Sequence, residues 1–312
     1  MLIRSIFTIY LLSLQLFGDS HIFLMHRFDD VRYKSTNIST EQLRKDFEYL
    51  KENDYKVVSL NYLISHLDEK KLVSFAIDDG YKSFYKNGLK LFREFNYPFT
   101  LFLYTEAIDG RYPDFMTWNQ VKRTSQFGEV GVHSHSHPHL THLNPIEIMK
   151  DTQKSISSYK KVMGEPPRYY AYPYGESDKD SREIIEAFGF DAIFNQSMGA
   201  ISSKSNLYDI DRIALLGEYN IKTKLRIKYL ETEWINPVVY PLDGLLRRVT
   251  IKIPKHIKKA QLYISGYNWK RVDVKDGLVD IKFEKPIKLK FNQNRIFIKS
   301  FNNEIGSTMI IK

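Results

Sequence analysis

At 312 residues and 43% hydrophobic content, the chain can form a large α/β domain and a smaller module, each with a packed core. The absence of cysteine excludes disulfide bonds, thiolate metal sites and lipid anchors attached to cysteine. The net charge of +9 is concentrated near the C-terminus: residues 231–312 hold 16 of the 46 basic residues but only 8 of the 37 acidic ones, so the preceding part is close to neutral.

The first twenty residues have the pattern of a secretory signal peptide. Arg4 precedes an uncharged apolar stretch at residues 6–17, and Gly18-Asp19-Ser20 offers small residues for cleavage. The stretch is shorter than the roughly 20 residues that span a bilayer, which argues against an uncleaved anchor. A buried first strand is the other alternative. We therefore predict a signal peptide at 1–20 and export to the periplasm or the cell exterior.

Strands and helices are predicted to alternate from residue 21 to about residue 225. A capping box at Ser39-Thr40-Glu41-Gln42 predicts the start of one helix, with Ser39 as the cap and the Gln42 side chain reaching back. Alternation of this kind is typical of parallel β/α units. The polar residues that follow the strands should therefore lie at the carboxyl ends of a barrel or open sheet, where such folds place their chemistry.

The pattern changes between residues 221 and 237. Beyond this point, short runs with strand-like alternation recur about every ten residues, and Ser265-Gly266 and Asp276-Gly277 supply turns between them. This spacing predicts a small antiparallel β-sandwich of the immunoglobulin-like type at 231–312. Its positive charge favours an anionic partner, either an envelope polymer or lipid headgroups, with simple solubility as the alternative. Nucleic acid is not expected as a partner of an exported protein.

Two motifs supply ligands for a divalent metal ion. The apolar run 72–77 ends in Asp78-Asp79-Gly80, and four of the nine histidines lie between His133 and His139. Each motif has a structural alternative, because Asp-Asp-Gly also forms turns and a His-rich tract can bind metal adventitiously. Together they provide two histidines and a carboxylate for one ion and leave a second carboxylate as a base. We interpret the pair as the site of a metal-dependent hydrolase.

Three motifs resemble those of the polysaccharide deacetylase family, also called NodB-homology or carbohydrate esterase family 4. They are, in chain order, Ala76-Ile77-Asp78-Asp79-Gly80, His133-Ser134-His135-Ser136-His137 and Pro173-Tyr174-Gly175. The resemblance covers about residues 21–215. It implies a distorted (β/α) barrel of the NodB-homology type, followed here by the predicted β-sandwich.

Two features depart from the usual family pattern. No arginine directly precedes Pro173, and the Leu-x-x-His motif expected near the end of the domain is missing. One branch, the biofilm poly-N-acetylglucosamine deacetylases, resembles this chain in placing a histidine after the first strand, as in Met25-His26-Arg27. The segment Asp211-Arg212-Ile213 is similar to an Arg-Ile signature of that branch and would supply the arginine.

The resemblance implies roles for seven residues. Asp79, His133 and His137 would bind the metal, for which Zn²⁺ is expected and Co²⁺, Ni²⁺ and Fe²⁺ are alternatives. The remaining four would act on the substrate or support the site: Asp78 as the base, His26 as the acid for the leaving amine, the Tyr174 N–H as the oxyanion donor, and Arg212 as the group that orients Asp78.

Alternatives remain for several of these residues. Histidines four apart would share one face of a helical turn, and His135 and His139 have the same spacing as His133 and His137. His26 and Arg212 could instead be structural, and the Tyr174 ring could serve only in packing.

The function implied is removal of N-acetyl groups from N-acetylglucosamine residues of an extracellular or envelope polysaccharide. A β-1,6-linked poly-N-acetylglucosamine is the expected substrate because of the His26 feature. Peptidoglycan or chitin oligomers are alternative substrates. A non-catalytic glycan-binding protein of the same fold is the alternative function, although such a protein has no need for a base that does not bind the metal.

Overall fold

The computed structural model describes residues 19–312, so all but the last two residues of the predicted signal peptide lie outside the described residues. Ser20 forms a two-way backbone bridge with Ile201, and Asp19 accepts a 2.8 Å hydrogen bond from the Tyr229 N–H. Asp19 and Ser20 are thus bonded into the folded domain. Among residues 19–312, no helix combines the length and apolar character needed to cross a membrane.

The N-terminal part consists of short strands that alternate with helices. The strands are β1 (His21–Met25), β2 (Arg27–Phe28), β3 (Asn37–Ile38), β4 (Lys56–Val57), β5 (Leu72–Ile77), β6 (Thr100–Leu103), β7 (Glu129–Val132), β8 (Tyr169–Ala171), β9 (Ala192–Phe194) and β10 (Ile213–Ala214). The helices are α1 (Thr40–Glu52), α2 (Leu60–Ser65), α3 (Leu89–Phe95), α4 (Thr105–Asp109), α5 (Trp118–Thr124), α6 (Pro145–Met163), α7 (Lys179–Glu186) and α8 (Ile221–Lys224).

Parallel strands form the main sheet, in the order β10-β1-β5-β6-β7-β8-β9, with β4 paired to β5. The segment that leads into β10 also bridges β9, where Ile210 pairs in parallel with Phe194, so the sheet closes into a distorted barrel. Strand β5 is buried along its whole length, which explains why all of its residues but Ser74 are apolar, and the Ser74 hydroxyl donates a hydrogen bond to the Val58 carbonyl. The predicted barrel is therefore confirmed.

Capping residues begin several helices as their sequences indicate. Ser39 accepts a hydrogen bond from the Gln42 N–H at the start of α1. The predicted capping box is nevertheless wrong in its second half, because the Gln42 side chain donates to Asp46 one turn further along the helix. Complete capping boxes begin α5 at Thr117 and α6 at Asn144.

The C-terminal part consists of two sheets, which we call the C-terminal sandwich. Its strands are β11 (Lys228–Tyr229), β12 (Glu233–Asn236), β13 (Leu245–Lys252), β14 (Lys259–Ile264), β15 (Lys270–Asp273), β16 (Leu278–Lys288), β17 (Gln293–Ser300) and β18 (Glu304–Ile311). One sheet has the order β12-β13-β16 and the other β11-β18-β17-β14-β15. All pairs except β11–β18 are antiparallel, and apolar residues of both sheets form one cluster. This confirms the predicted β-sandwich.

The sandwich packs against the barrel. Ile305 of β18 belongs to the same buried apolar cluster as the barrel strands, and Phe297 of β17 packs against that cluster. Ser307 also donates a 3.2 Å hydrogen bond to the Met198 carbonyl of the barrel. The two parts therefore share a continuous apolar interface rather than a linker alone.

Candidate metal centre

The predicted site residues converge on the carboxyl edge of the barrel. Six of them directly follow strands β1, β5, β7 and β8 or lie in the loops after those strands: His26, Asp78, Asp79, His133, His137 and Tyr174. The ends of β1 and β5 are tied together by a 2.9 Å bond from the Asp78 N–H to the Met25 carbonyl. Arg212 comes from the segment before β10, and its side chain reaches Asp78 from there.

Asp79, His133 and His137 form a compact group of potential ligands. One ligand atom from each lies within 4.8 Å of the other two. Asp79 Oδ1 lies 3.6 Å from His133 Nε2 and 3.3 Å from His137 Nε2. Within residues 19–312 no other group of three or more potential ligands is as closely spaced.

The hydrogen bonding of His133 shows that this group fits a cation. His133 Nδ1 donates a 2.7 Å hydrogen bond to the Ala171 carbonyl, and burial lowers the pKa of His133 to about 4, so the ring is neutral. Its Nε2 atom therefore carries a lone pair that faces the Asp79 carboxylate. Both His133 Nε2 and Asp79 Oδ1 are buried without a hydrogen-bond partner among the described residues. Two opposed, unsatisfied acceptors are costly alone and are stabilised by a divalent ion between them.

Asp78 has different surroundings although it is the neighbour of Asp79. Arg212 donates two hydrogen bonds to it, 2.8 Å to Oδ1 and 3.0 Å to Oδ2, and both side chains are fully buried. Arg212 is itself held by a 2.8 Å bond from Nε to the Asn195 carbonyl. Burial alone would raise the pKa of Asp78, but the positive charge of the adjacent Arg212 guanidinium holds it below its ordinary value. Asp78 is therefore ionised, and Arg212 orients it.

The histidine loop is not the helical turn that the i, i+4 spacing predicted. Ser134 and His137 have left-handed backbone conformations, with φ of 65° and 53°, and the His137 N–H donates to Ser134 Oγ. Asp151 of α6 accepts hydrogen bonds from the N–H groups of His135 and Ser136, at 2.9 Å and 2.8 Å. The loop folds back on itself, and this brings His133 and His137 to one point.

The alternative histidine pair is not brought together at the metal group. His135 Nδ1 lies 3.0 Å from the Thr105 hydroxyl, and His139 Nδ1 donates a 2.7 Å hydrogen bond to Glu176. The fold therefore brings His133 and His137 together with Asp79, and not His135 and His139.

His26 lies at the end of β1, beside the two carboxylates. It is close enough to Asp78 and Asp79 for its protonated form to lower the pKa values of both carboxyl groups. His26 Nδ1 is buried and makes no hydrogen bond to any of the described residues. A structural histidine at the end of a strand would bond to the backbone, and no such bond is made by this nitrogen.

Tyr174 occupies the turn Pro173–Gly175, which we call the Tyr174 turn. Tyr174 has φ of 58°, and the two hydrogen bonds of the turn are donated by the N–H groups of Gly175 and Glu176 rather than by its own. Its ring meets the His137 ring edge-on at 4.5 Å and stacks on the His139 ring at 4.0 Å. The turn therefore packs directly against the candidate metal ligands.

Three supporting residues were missed by the sequence analysis: Asp151, Glu176 and Gln293. Asp151 lies in the middle of a long helix, and Gln293 lies 117 positions from the Glu176 side chain that it contacts. Only Glu176 had a local signal, because it directly follows the Pro-Tyr-Gly motif.

Comparison with known proteins identifies the domain. The sequence model of the polysaccharide deacetylase family matches residues 66–193. These residues form a polysaccharide deacetylase domain. The chain is 24% identical over 199 residues to a poly-beta-1,6-N-acetyl-D-glucosamine N-deacetylase of Staphylococcus aureus, which covers 58% of this chain and 69% of that relative. An Escherichia coli protein of the same name is 24% identical over 242 residues, covering 62% of this chain and 35% of that relative.

Solved structures share the fold of the deacetylase domain. Streptococcus pyogenes deacetylase PplD in complex with acetate superposes with a TM-score of 0.61 at 17% identity, over 66% of this chain and 96% of that one. The structure of IcaB from Ammonifex degensii gives a TM-score of 0.56 at 22% identity, over 64% of this chain and 92% of that one. The match of the family model to residues 66–193 and the deacetylase relatives confirm the predicted family and enzyme class, a polysaccharide deacetylase.

Proposed function

We propose that this protein is an exported, metal-dependent N-deacetylase that acts on N-acetylglucosamine residues of a polysaccharide. One observation carries the proposal: the adjacent carboxylates Asp78 and Asp79 are held in two different states. Asp79 points an unbonded oxygen at two histidines, whereas both oxygens of Asp78 are bonded to Arg212. Such a division suits one ligand and one base, and a site built only for binding does not need it.

The candidate metal ligands are Asp79, His133 and His137. A bound divalent ion, Zn²⁺ in our proposal with Co²⁺, Ni²⁺ or Fe²⁺ as alternatives, supplies Lewis acidity that polarises an acetamide carbonyl and makes a water molecule acidic near neutral pH. His133 is prepared for this role because its bond to Ala171 fixes the tautomer that leaves Nε2 free.

The protein's own residues carry the proton transfers. Asp78 accepts a proton from the attacking water as the water oxygen bonds to the acetyl carbon. The Tyr174 N–H donates to the carbonyl oxygen as negative charge develops there. His26 then donates a proton to the amide nitrogen, the C–N bond breaks, and acetate and a free amine leave. Arg212 keeps Asp78 ionised and in place for the first of these steps.

The substrate that we favour is β-1,6-linked poly-N-acetylglucosamine. The relatives from Staphylococcus aureus and Escherichia coli, which align with 58% and 62% of this chain, carry this substrate in their names. Peptidoglycan and chitin oligomers are the alternatives. Deacetylation turns neutral acetamides into amines, which are cationic at neutral pH, and would make the polymer adhere to anionic surfaces in a biofilm.

The C-terminal sandwich is proposed as an attachment module. Residues 231–312 carry an excess of eight positive charges, and such a surface favours an anionic envelope polymer or lipid headgroups. The immunoglobulin-like assignment of this module, the domain limits of 21–225 and 231–312, and export to the periplasm or the cell exterior belong to the same proposal.

Acetate release tests the proposed activity. The Zn²⁺-loaded protein is incubated with β-1,6-linked N-acetylglucosamine oligomers, beside the Asp78→Asn variant. We expect release by the wild-type protein and a loss of about a thousandfold in the variant, because a general base contributes about 10²- to 10⁴-fold. The variant should still bind one equivalent of Zn²⁺. Release from chitin or peptidoglycan oligomers alone would reassign the substrate, and no release from any of them would favour the glycan-binding alternative.

A further inference from the structure

The C-terminal sandwich contacts the Tyr174 turn through a buried carboxylate. Glu176 follows the turn and is only 1% exposed. Gln293, the first residue of β17, donates a hydrogen bond from Nε2 to Glu176 Oε1. The other oxygen of Glu176 accepts the 2.7 Å bond from His139. Each carboxylate oxygen thus has one partner, and one of the two comes from the sandwich.

These bonds continue to the metal group through stacked rings. The His139 ring lies parallel to the Tyr174 ring, at 4.0 Å between centroids and 6° between planes. Tyr174 in turn meets His137, a candidate metal ligand, at 4.5 Å. An unbroken series of direct contacts therefore joins Gln293 of the sandwich to the metal site of the barrel.

The backbone of the Tyr174 turn needs such support. A tyrosine with φ of 58° is in a conformation that non-glycine residues seldom adopt and that surrounding contacts must hold. The next residue, Gly175, approaches Gln196 so closely that a Cβ atom there would lie 2.3 Å from Gln196 Cβ. Arg295, also of β17, donates a hydrogen bond to the Gln196 carbonyl. Strand β17 thus supports the turn at two points, through Glu176 and through Gln196.

We infer that Gln293 is a positioning residue for deacetylation, acting through Glu176 and His139 to hold the Tyr174 N–H where the oxyanion forms. This inference rests on the proposed function and deepens it. It makes the sandwich part of the catalytic unit, in addition to any role in attachment. Loss of the Gln293 amide leaves Glu176 Oε1 buried without a partner, so the carboxylate must turn toward water and release His139.

The test compares Gln293→Ala with Ser307→Ala in the full-length protein. Ser307 makes a side-chain hydrogen bond across the same interface, to Met198, but does not contact Glu176. Each variant is measured for hydrogen–deuterium exchange of a peptide containing residues 172–177, for Zn²⁺ affinity, and for kcat and KM of acetate release.

For Gln293→Ala we expect faster exchange of the 172–177 peptide and a kcat about tenfold lower, with KM nearly unchanged. A misplaced oxyanion donor weakens binding of the transition state more than binding of the substrate. We also expect weaker Zn²⁺ binding, because the His137 ring loses support. Ser307→Ala should leave all three measurements near wild type. Gln293→Ala should have little further effect in a protein that already carries Glu176→Ala.

The conservative variant Glu176→Gln shows whether the turn depends on the hydrogen bonds of Glu176 or on its negative charge. In Glu176→Gln the amide oxygen can still accept from Gln293 and the amide nitrogen can donate to His139 in its other tautomer, so kcat and exchange should stay close to wild type. Unchanged exchange in Gln293→Ala overturns the inference, as does an equal fall of kcat in Ser307→Ala. If the wild-type protein releases no acetate from any glycan, the proposed function fails, while exchange and Zn²⁺ affinity still decide whether Gln293 positions the turn.

Discussion

The barrel edge and the C-terminal sandwich each contain an arginine–aspartate pair joined by two hydrogen bonds, in opposite surroundings. Arg212 and Asp78 form a two-bond pair that is fully buried. Arg248 and Asp280 form a two-bond pair across β13 and β16 with side chains 55% and 35% exposed. Water screens the second pair, so it contributes little to stability, whereas the first is costly to break and controls the ionisation of a carboxylate. Burial, rather than the number of hydrogen bonds, separates the pair that keeps Asp78 ionised from the pair that lies at the surface.

Removal of a metal ligand should have the largest effect at the barrel edge. His133→Ala is expected to abolish stoichiometric Zn²⁺ binding and to lower acetate release at least about a hundredfold, because two ligands hold the ion poorly. His135→Ala is the matched control, since His135 is buried in the same loop but bonds to Thr105. Titration with a chromophoric chelator measures Zn²⁺ binding by both variants. Loss of Zn²⁺ in His135→Ala with retention in His133→Ala would restore the alternative histidine register.

Replacing the arginine of each ion pair by methionine compares what the two pairs contribute to stability. Arg212→Met leaves the Asp78 carboxylate buried without a partner and should lower the free energy of unfolding by about 3–5 kcal/mol. Urea unfolding measures the loss. Adding Asp78→Asn should recover part of it, because the uncompensated charge is then gone. A stability close to wild type for Arg212→Met would mean that water reaches Asp78 and that the pair is not the buried one described.

A buried neutral histidine in the barrel also predicts a pH dependence of stability. His21 in β1 donates a 2.8 Å hydrogen bond to the Ile227 carbonyl, and burial lowers its pKa to about 4. The unfolded chain therefore binds a proton that the folded protein does not, and stability falls as pH drops from 6.5 toward 4. This group accounts for a loss on the order of 3 kcal/mol over that range. Unfolding of His21→Gln across pH 4–7 should show a correspondingly smaller decrease than wild type.

The smallest effect is expected in the sandwich. Arg248→Met breaks an exposed pair and should leave Tm within about 2 °C of wild type and acetate release from short oligomers unchanged. Differential scanning calorimetry provides the comparison with Arg212→Met. A decrease in Tm as large as that of Arg212→Met would show that exposure does not distinguish the two regions.

Much of the site could be predicted because its residues stand next to strand ends. Asp78 and Asp79 directly follow the apolar run of β5, and His133 directly follows β7, so a parallel sheet must bring them to one edge. The spacing of His133 and His137 indicated a shared metal but suggested the wrong backbone, because a loop with residues in the left-handed region achieves the same convergence as a helical turn. Periodicity describes repeating elements and carries no information about such a loop.

The sequence by itself determined the alternation of strands and helices in parallel β/α units, the change to a basic β-sandwich, and the residue types that can hold a metal. Those properties depend on local apolar patterns and on motifs that are short in the chain. Only the tertiary structure decided that Gln293 of the sandwich reaches Glu176 across 117 positions, whereas the contact between Arg212 and Asp78 was already implied by the family resemblance. The contact of Gln293 depends on how the sandwich packs against the barrel, and a buried partner at that distance leaves no local pattern in the chain.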